Sequence, residues 1–123
     1  MNLENTPAIN EEVLNELKDL VMDDGPEFLI ELLGDFVTDA ESGIHAMEQA
    51  ALDGDAEVIE QTAHRMKSSS AHLGALGMAD LCETLQRLGR SGAVDGSQDL
   101  VASLGAEFQR VRASLDEECR RIA

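Results

Sequence analysis

The sequence predicts an all-α protein, an up-and-down four-helix bundle with an additional short N-terminal helix. Apolar residues recur at i, i+3 and i+4 along almost the whole chain, the period of a helix face and not the alternation of a strand. Only two prolines interrupt 123 residues, and the aromatic content is three phenylalanines. Glycine-containing turns divide the rest into segments of helix length.

Asn10 is the expected N-cap of a first helix over about 10 to 22, with Val13, Leu17, Leu20 and Val21 as its buried stripe. Asp24-Gly25-Pro26 breaks it, and Pro26 suits the first turn of a second helix reaching about 51. There Leu29, Leu33, Phe36, Ala40, Ile44 and Met47 face inward, while Gly34 and Gly43 weaken the helix by ~1 kcal/mol each at most. Asp53-Gly54-Asp55 is a turn followed by a cap, opening a third helix that Gly74 ends. Leu76 to Leu88 form a shorter fourth helix, with Met78, Leu81, Leu85 and Leu88 inward and Gly89-Arg90-Ser91-Gly92 closing it. After a loop through Gly96, Ser97 caps the last helix, whose Leu100, Leu104, Phe108, Val111, Leu115 and Ile122 keep one stripe. Residues 1–8 read as a tail and residues 9–123 as one domain without repeats or linkers, the first helix lying across one end of the bundle.

Charge narrows the function. Nine Lys plus Arg against 25 Asp plus Glu leave a net charge of −16, which disfavours nucleic acids and anionic membranes, both held largely by electrostatic attraction. Base-stacking platforms are also scarce, since Phe28, Phe36 and Phe108 are the only aromatic residues. No apolar run approaches about 18 residues and the N-terminus carries no signal-peptide pattern, so the expected location is cytoplasmic. Cys82 and Cys119 stand in helical patterns with no metal-ligand spacing and read as reduced thiols.

The third helix carries the chemistry. Ile59, Ala63, Met66, Ser70 and Leu73 fall within an arc of roughly 80° and form its buried stripe, with Ser70 small enough for close packing and able to bond back to its own helix. His64 projects about 140° from Ile59, toward solvent, with Lys67 at i+3, Ser68 at i+4 and Ala71 at i+7 on the same side. An exposed, neutral imidazole beside a cation and small side chains is suited to accept a phosphoryl group: the imidazole attacks, the ammonium pairs with the phosphoryl oxygens, and Ser68 and Ala71 leave room for a partner. Glu60 at i−4 is a candidate to orient the imidazole, although such pairs also occur on any acidic helix. A lone histidine would be an ordinary surface residue; what argues otherwise is that Lys67 is one of only two lysines, with Lys18. His45, with Glu41 at i−4, and His72 read as solvated. Glu41/His45 and Glu60/His64 have i+4 spacing, which does not fit the Glu-x-x-His elements of di-metal bundles. No phosphate-cradling glycine loop is present, so the chain has no kinase site to charge itself.

His64, Met66, Lys67, Ser68, Ser70, Gly74 and Ala75 fill, in register, the pattern His-x-hydrophobic-Lys-Gly/Ser-x-Ser/Ala-x-x-x-Gly-Ala. This resembles the phosphorylation motif of histidine-containing phosphotransfer (HPt) domains, with Ser68 where many members carry glycine. The resemblance spans roughly residues 9 to 122 in helix order and length. It implies a phosphocarrier, not an enzyme, in which His64 accepts a phosphoryl group from a receiver-domain phosphoaspartate and relays it to another receiver. The implied partners are the receiver domains of a hybrid sensor histidine kinase and a response regulator. The carrier needs no cofactor of its own, the partner receiver supplying Mg²⁺, and acts as a monomer. Ser68, Ala71, Glu60 and Gly74 are the expected docking residues around His64 and Lys67, extended by Leu14, Met22, Phe28 or Leu32. The competing reading is a helical adaptor that binds a signalling partner without being phosphorylated.

Overall fold

A computed structural model describes residues 6–122. Its helices are α1 (Glu11–Val21), a single 3-10 turn (Met22–Asp24), α2 (Pro26–Asp53), α3 (Ala56–Leu73), α4 (Leu76–Arg90) and α5 (Ser97–Ile122). No strand occurs among the described residues. The four main helices alternate in direction, each packing on its neighbour in sequence, and α5 closes the ring on α2. The core between them includes Leu33, Met47, Ile59, Met78, Leu85, Leu104 and Phe108.

The caps follow the sequence. Asn10 Oδ1 accepts from the Val13 amide at 3.0 Å and Asp55 Oδ1 from the Val58 amide at 3.2 Å, each satisfying an orphan donor of a first turn. Ser97 begins α5 as expected, but its buried hydroxyl donates to the Val94 carbonyl at 2.6 Å instead of capping. Buried Ser70 does not bond back to its helix; exposed Ser69 does, to the carbonyls of Arg65 and Met66.

α2 and α5, at 28 and 26 residues, outreach α3 and α4, at 18 and 15, by roughly 15 Å at 1.5 Å per residue. α1 lies across the end where α3 finishes, as expected. It is anchored by the Asn10 amide donating to the Gly74 carbonyl at 2.8 Å and by an ion pair from Lys18 to Glu118 of α5. The face it buries is turned one position from expectation. Leu14 is in the core, with Leu17, Lys18 and Val21 partly covered, and Leu20 is 81% exposed. The cause is Lys18, which follows the helical period onto the inner face because its ammonium meets the almost buried Glu118 carboxylate. Leu14 is therefore not a docking residue. Ala8, assigned to the tail, is buried with Ile9 against the same core, while residues 1–5 of that tail lie outside the described residues.

Two glycines have roles other than those expected. Gly89 does not close α4 but lies inside it, where an added Cβ would come within 2.7 Å of the Ala56 carbonyl oxygen and the Glu60 amide nitrogen of α3. Gly43 is likewise a close approach, its Cβ position 2.6 Å from Met66 Sδ. Cost to helix propensity is thus exchanged for tight crossings of α3.

Candidate functional site

α3 and α4 are antiparallel and pack more extensively than any other helix pair. Their shared outer edge carries three polar rungs. At one end Arg90 Nε donates to Glu60 Oε2 at 3.2 Å. In the middle the Gln86 amide meets His64 Nδ1 at 3.0 Å. At the other end Lys67 is ion-paired with Glu83, whose second oxygen accepts from Arg87 Nε at 2.9 Å. The two cations hold the Glu83 carboxyl below the usual carboxylate range, the Lys67 hydrogen bond contributing most, against a smaller opposing effect of desolvation.

His64 is exposed, as are Ser68 and Ala71 beside it, and Lys67 is half-buried. The spacing on α3 therefore places those four as the sequence predicts. Glu60 does not serve His64; its carboxylate is spent on Arg90, and the imidazole is oriented from the neighbouring helix by Gln86. Gly74 is not on the docking face either. It is buried in the left-handed conformation at the α3 C-terminus (φ 94°), and a Cβ there would come within 2.8 Å of the Asn10 carbonyl oxygen, so it joins α3 to α1. His45 is exposed and faces Glu48, its expected neighbour Glu41 pairing with Arg112.

Gln86 is buried apart from its contact with the ring, so its amide has a fixed place. Each orientation of that amide serves one imidazole tautomer. With Oε1 toward the ring it accepts from Nδ1–H and leaves a lone pair on Nε2; with the NH₂ toward the ring it donates to a bare Nδ1 and puts the proton on Nε2. Either way Nδ1 is engaged, and Nε2 has no protein hydrogen-bond partner among the described residues.

Beside this edge runs an apolar groove of about 680 Å³ between α1, α2 and α3. Val13, Leu17, Leu20, Leu32 and Phe36 floor it, and Glu16, Asp35 and Asp39 stand on its margins. Ala71 belongs both to this groove and to the face of His64, so the two surfaces are continuous. Met22 and Phe28 are exposed, as expected. Among the described residues no three His, Cys, Asp or Glu side chains gather as a metal site. Cys82 and Cys119 are free; burial pushes the Cys82 thiol up to about 12, where it is inert at neutral pH.

The sequence reading missed Gln86, Glu83, Arg87 and Arg90. Their signal was present as a polar stripe at i, i+3, i+4 and i+7 along α4, but what it faces depends on the register of α4 against α3.

A sequence model of the Hpt domain matches residues 31–114. The chain belongs to the Hpt-domain family. Its fold is also that of the histidine-containing phosphotransfer protein HptB from Pseudomonas aeruginosa PAO1, with a TM-score of 0.88 and 28% identity over 97% of this chain and 100% of that one. No curated protein matches the chain in sequence. Hpt domains are phosphocarriers, not kinases, that interact with receiver domains, and a role in phosphotransfer within two-component signalling follows for this chain. No helix among the described residues is long and apolar enough to cross a membrane.

Proposed function

We propose that the chain relays phosphoryl groups between receiver domains through His64. The observation that carries this reading is the middle rung: an exposed imidazole whose Nδ1 is held by Gln86 while Nε2 has no protein partner among the described residues. With the proton on Nδ1, the Nε2 lone pair attacks the phosphorus of a receiver aspartyl phosphate. The N–P bond forms as the P–O bond breaks, and the aspartate leaves as a carboxylate. Reversal on a second receiver completes the relay. Lys67, one turn along α3, neutralises charge on the phosphoryl oxygens. The receiver contributes Mg²⁺, and in the absence of a glycine loop for ATP the chain is a shuttle and not a self-charging enzyme.

Ser68 and Ala71 let the receiver close over His64, and the apolar groove gives it a second point of attachment, its acidic margins favouring a partner with basic residues around an apolar projection. The partners so envisaged are the receivers of a hybrid sensor kinase and of a response regulator, met in the cytoplasm by a monomeric carrier.

The test is transfer from a phosphorylated receiver domain to the wild-type chain and to His64→Gln. The wild type is expected to carry a label lost in acid and stable in alkali, and the variant none. Full labelling of His64→Gln, or an acid-stable label, would refute the assignment. Receiver binding without any label on the wild type would point to the adaptor instead.

A further inference from the structure

Lys67 is the cation one turn along α3 from His64 on the same side of the helix, yet it is already occupied. Its ammonium is paired with Glu83, and Glu83 has a second cation on its own helix in Arg87. Such an arrangement has two settings. Glu83 can hold Lys67, or it can release Lys67 to another anion while staying neutralised by Arg87. The anion that the reaction leaves on this edge once the receiver departs is a phosphoryl group on His64, whose position at i−3 puts its Cβ within roughly 5–6 Å of the Lys67 Cβ.

We propose that Glu83 is a positioning residue that competes with the phosphoryl group for Lys67, and so sets how strongly His64 retains its phosphate. Three observations support it. The carboxylate is ionised throughout the physiological range because the two cations lower its pKa. The two side chains are about one-third to two-fifths exposed, and although Glu83 Oε2, which faces Lys67, is itself out of contact with solvent, the carboxylate keeps Arg87 on Oε1 when Lys67 leaves. The main-chain supports, with Gly89 packed on Ala56 and Glu60, fix α4 beside α3, so only side chains need move. The consequence suits a relay: a carrier must accept a phosphoryl group and also give it up, and an intramolecular competitor keeps the phosphohistidine from becoming a sink. Arg87 offsets the competition by drawing Glu83 away from Lys67.

The inference rests on the phosphocarrier reading, and the experiment separates the two. The measured quantity is the equilibrium partition of phosphate between His64 of the full chain and a receiver domain charged with acetyl phosphate and Mg²⁺. Glu83→Gln is expected to raise the share on His64 by roughly two- to fivefold, the range of one partly exposed charge contact. Arg87→Gln, which leaves Glu83 to Lys67 alone, is expected to lower it. In a Lys67→Ala background both effects should fall to a small residue, whereas Glu83→Asp, which keeps the charge, should stay near the wild type. A Glu83→Gln gain as large without Lys67 as with it would mean that the carboxylate only repels phosphate through space, and would overturn the proposal. So would an unchanged partition in Glu83→Gln with the helical melting curve intact. No label on the wild type would overturn the phosphocarrier reading itself. Charging His64 directly with phosphoramidate and following dephosphorylation gives a partner-free check, with Glu83→Gln expected to prolong the phosphohistidine and an unaltered lifetime counting against the competition.

Discussion

Two ion triads of the same composition stand in this small bundle. Lys67 and Arg87 flank Glu83 on the α3–α4 edge, and Lys18 and Arg121 flank Glu118 between α1 and α5. In each, one carboxylate is shared by a lysine from another helix and an arginine three or four residues along its own. What separates them is burial, the carboxylate side chain being 32% exposed at Glu83 and 7% at Glu118. A buried carboxylate that loses a partner keeps its desolvation cost, so the Glu118 triad is committed to holding α1 in place. A half-exposed one lets water replace a lost partner, so the Glu83 triad is free to rearrange. The same three charges thus make a clamp in one place and an exchangeable set in the other.

The contrast breaks first at Glu118. Lys18→Ala leaves that carboxylate with Arg121 alone and is expected to cost about 1–2 kcal/mol, a fall of roughly 3–8 °C in melting temperature for a domain of this size. Phosphotransfer at His64 should be untouched at temperatures where the variant is folded. A melting temperature within a degree or so of the wild type would show that the buried triad is no clamp. Lys67→Ala is the mirror experiment: stability within about ±0.5 kcal/mol, and transfer from a receiver slowed about tenfold for the loss of one partly solvated charge contact worth ~1.4 kcal/mol. Marked destabilisation with unchanged transfer would reverse the roles given to the two lysines.

A several-fold weakening is expected from Ala71→Arg, since that position is shared by the His64 face and the apolar groove. Helicity by circular dichroism should be kept, because arginine is a good helix former on an exposed face. If transfer from the receiver proceeds at the parental rate, the partner does not close over Ala71. The smallest effect concerns pH. Because the folded-state pKa of Glu83 is lowered, whatever stability its triad contributes is present above the ordinary carboxylate range and is lost as pH falls below that range through the lowered value. Thermal melts of the wild type and Glu83→Gln should therefore keep a constant small offset from about pH 7 down to about pH 5 and converge in stronger acid. A difference that opens only in acid would mean that the sign of the interaction is wrong.

The sequence alone determined the helices and the exposed face that carries His64, for a local reason. Caps such as Asn10 and Asp55, the break at Gly25-Pro26 and the spacing of Ile59, Ala63, Met66, Ser70 and Leu73 act within a few residues, and the helical period then fixes His64, Lys67, Ser68 and Ala71 on the opposite side. Whatever depends on a partner distant in the chain was decided by the tertiary structure. Lys18 turned α1 onto Leu14 because Glu118 lies 100 residues away, and Glu60, a local neighbour of His64, was taken by Arg90. Gln86 reaches His64 across 22 residues. Gly74 ends α3 as read and Gly89 lies inside α4, and both prove to be points where other backbones come close. Periodicity is a property of one helix, whereas these contacts belong to the register between two, and that register is set only when the core packs.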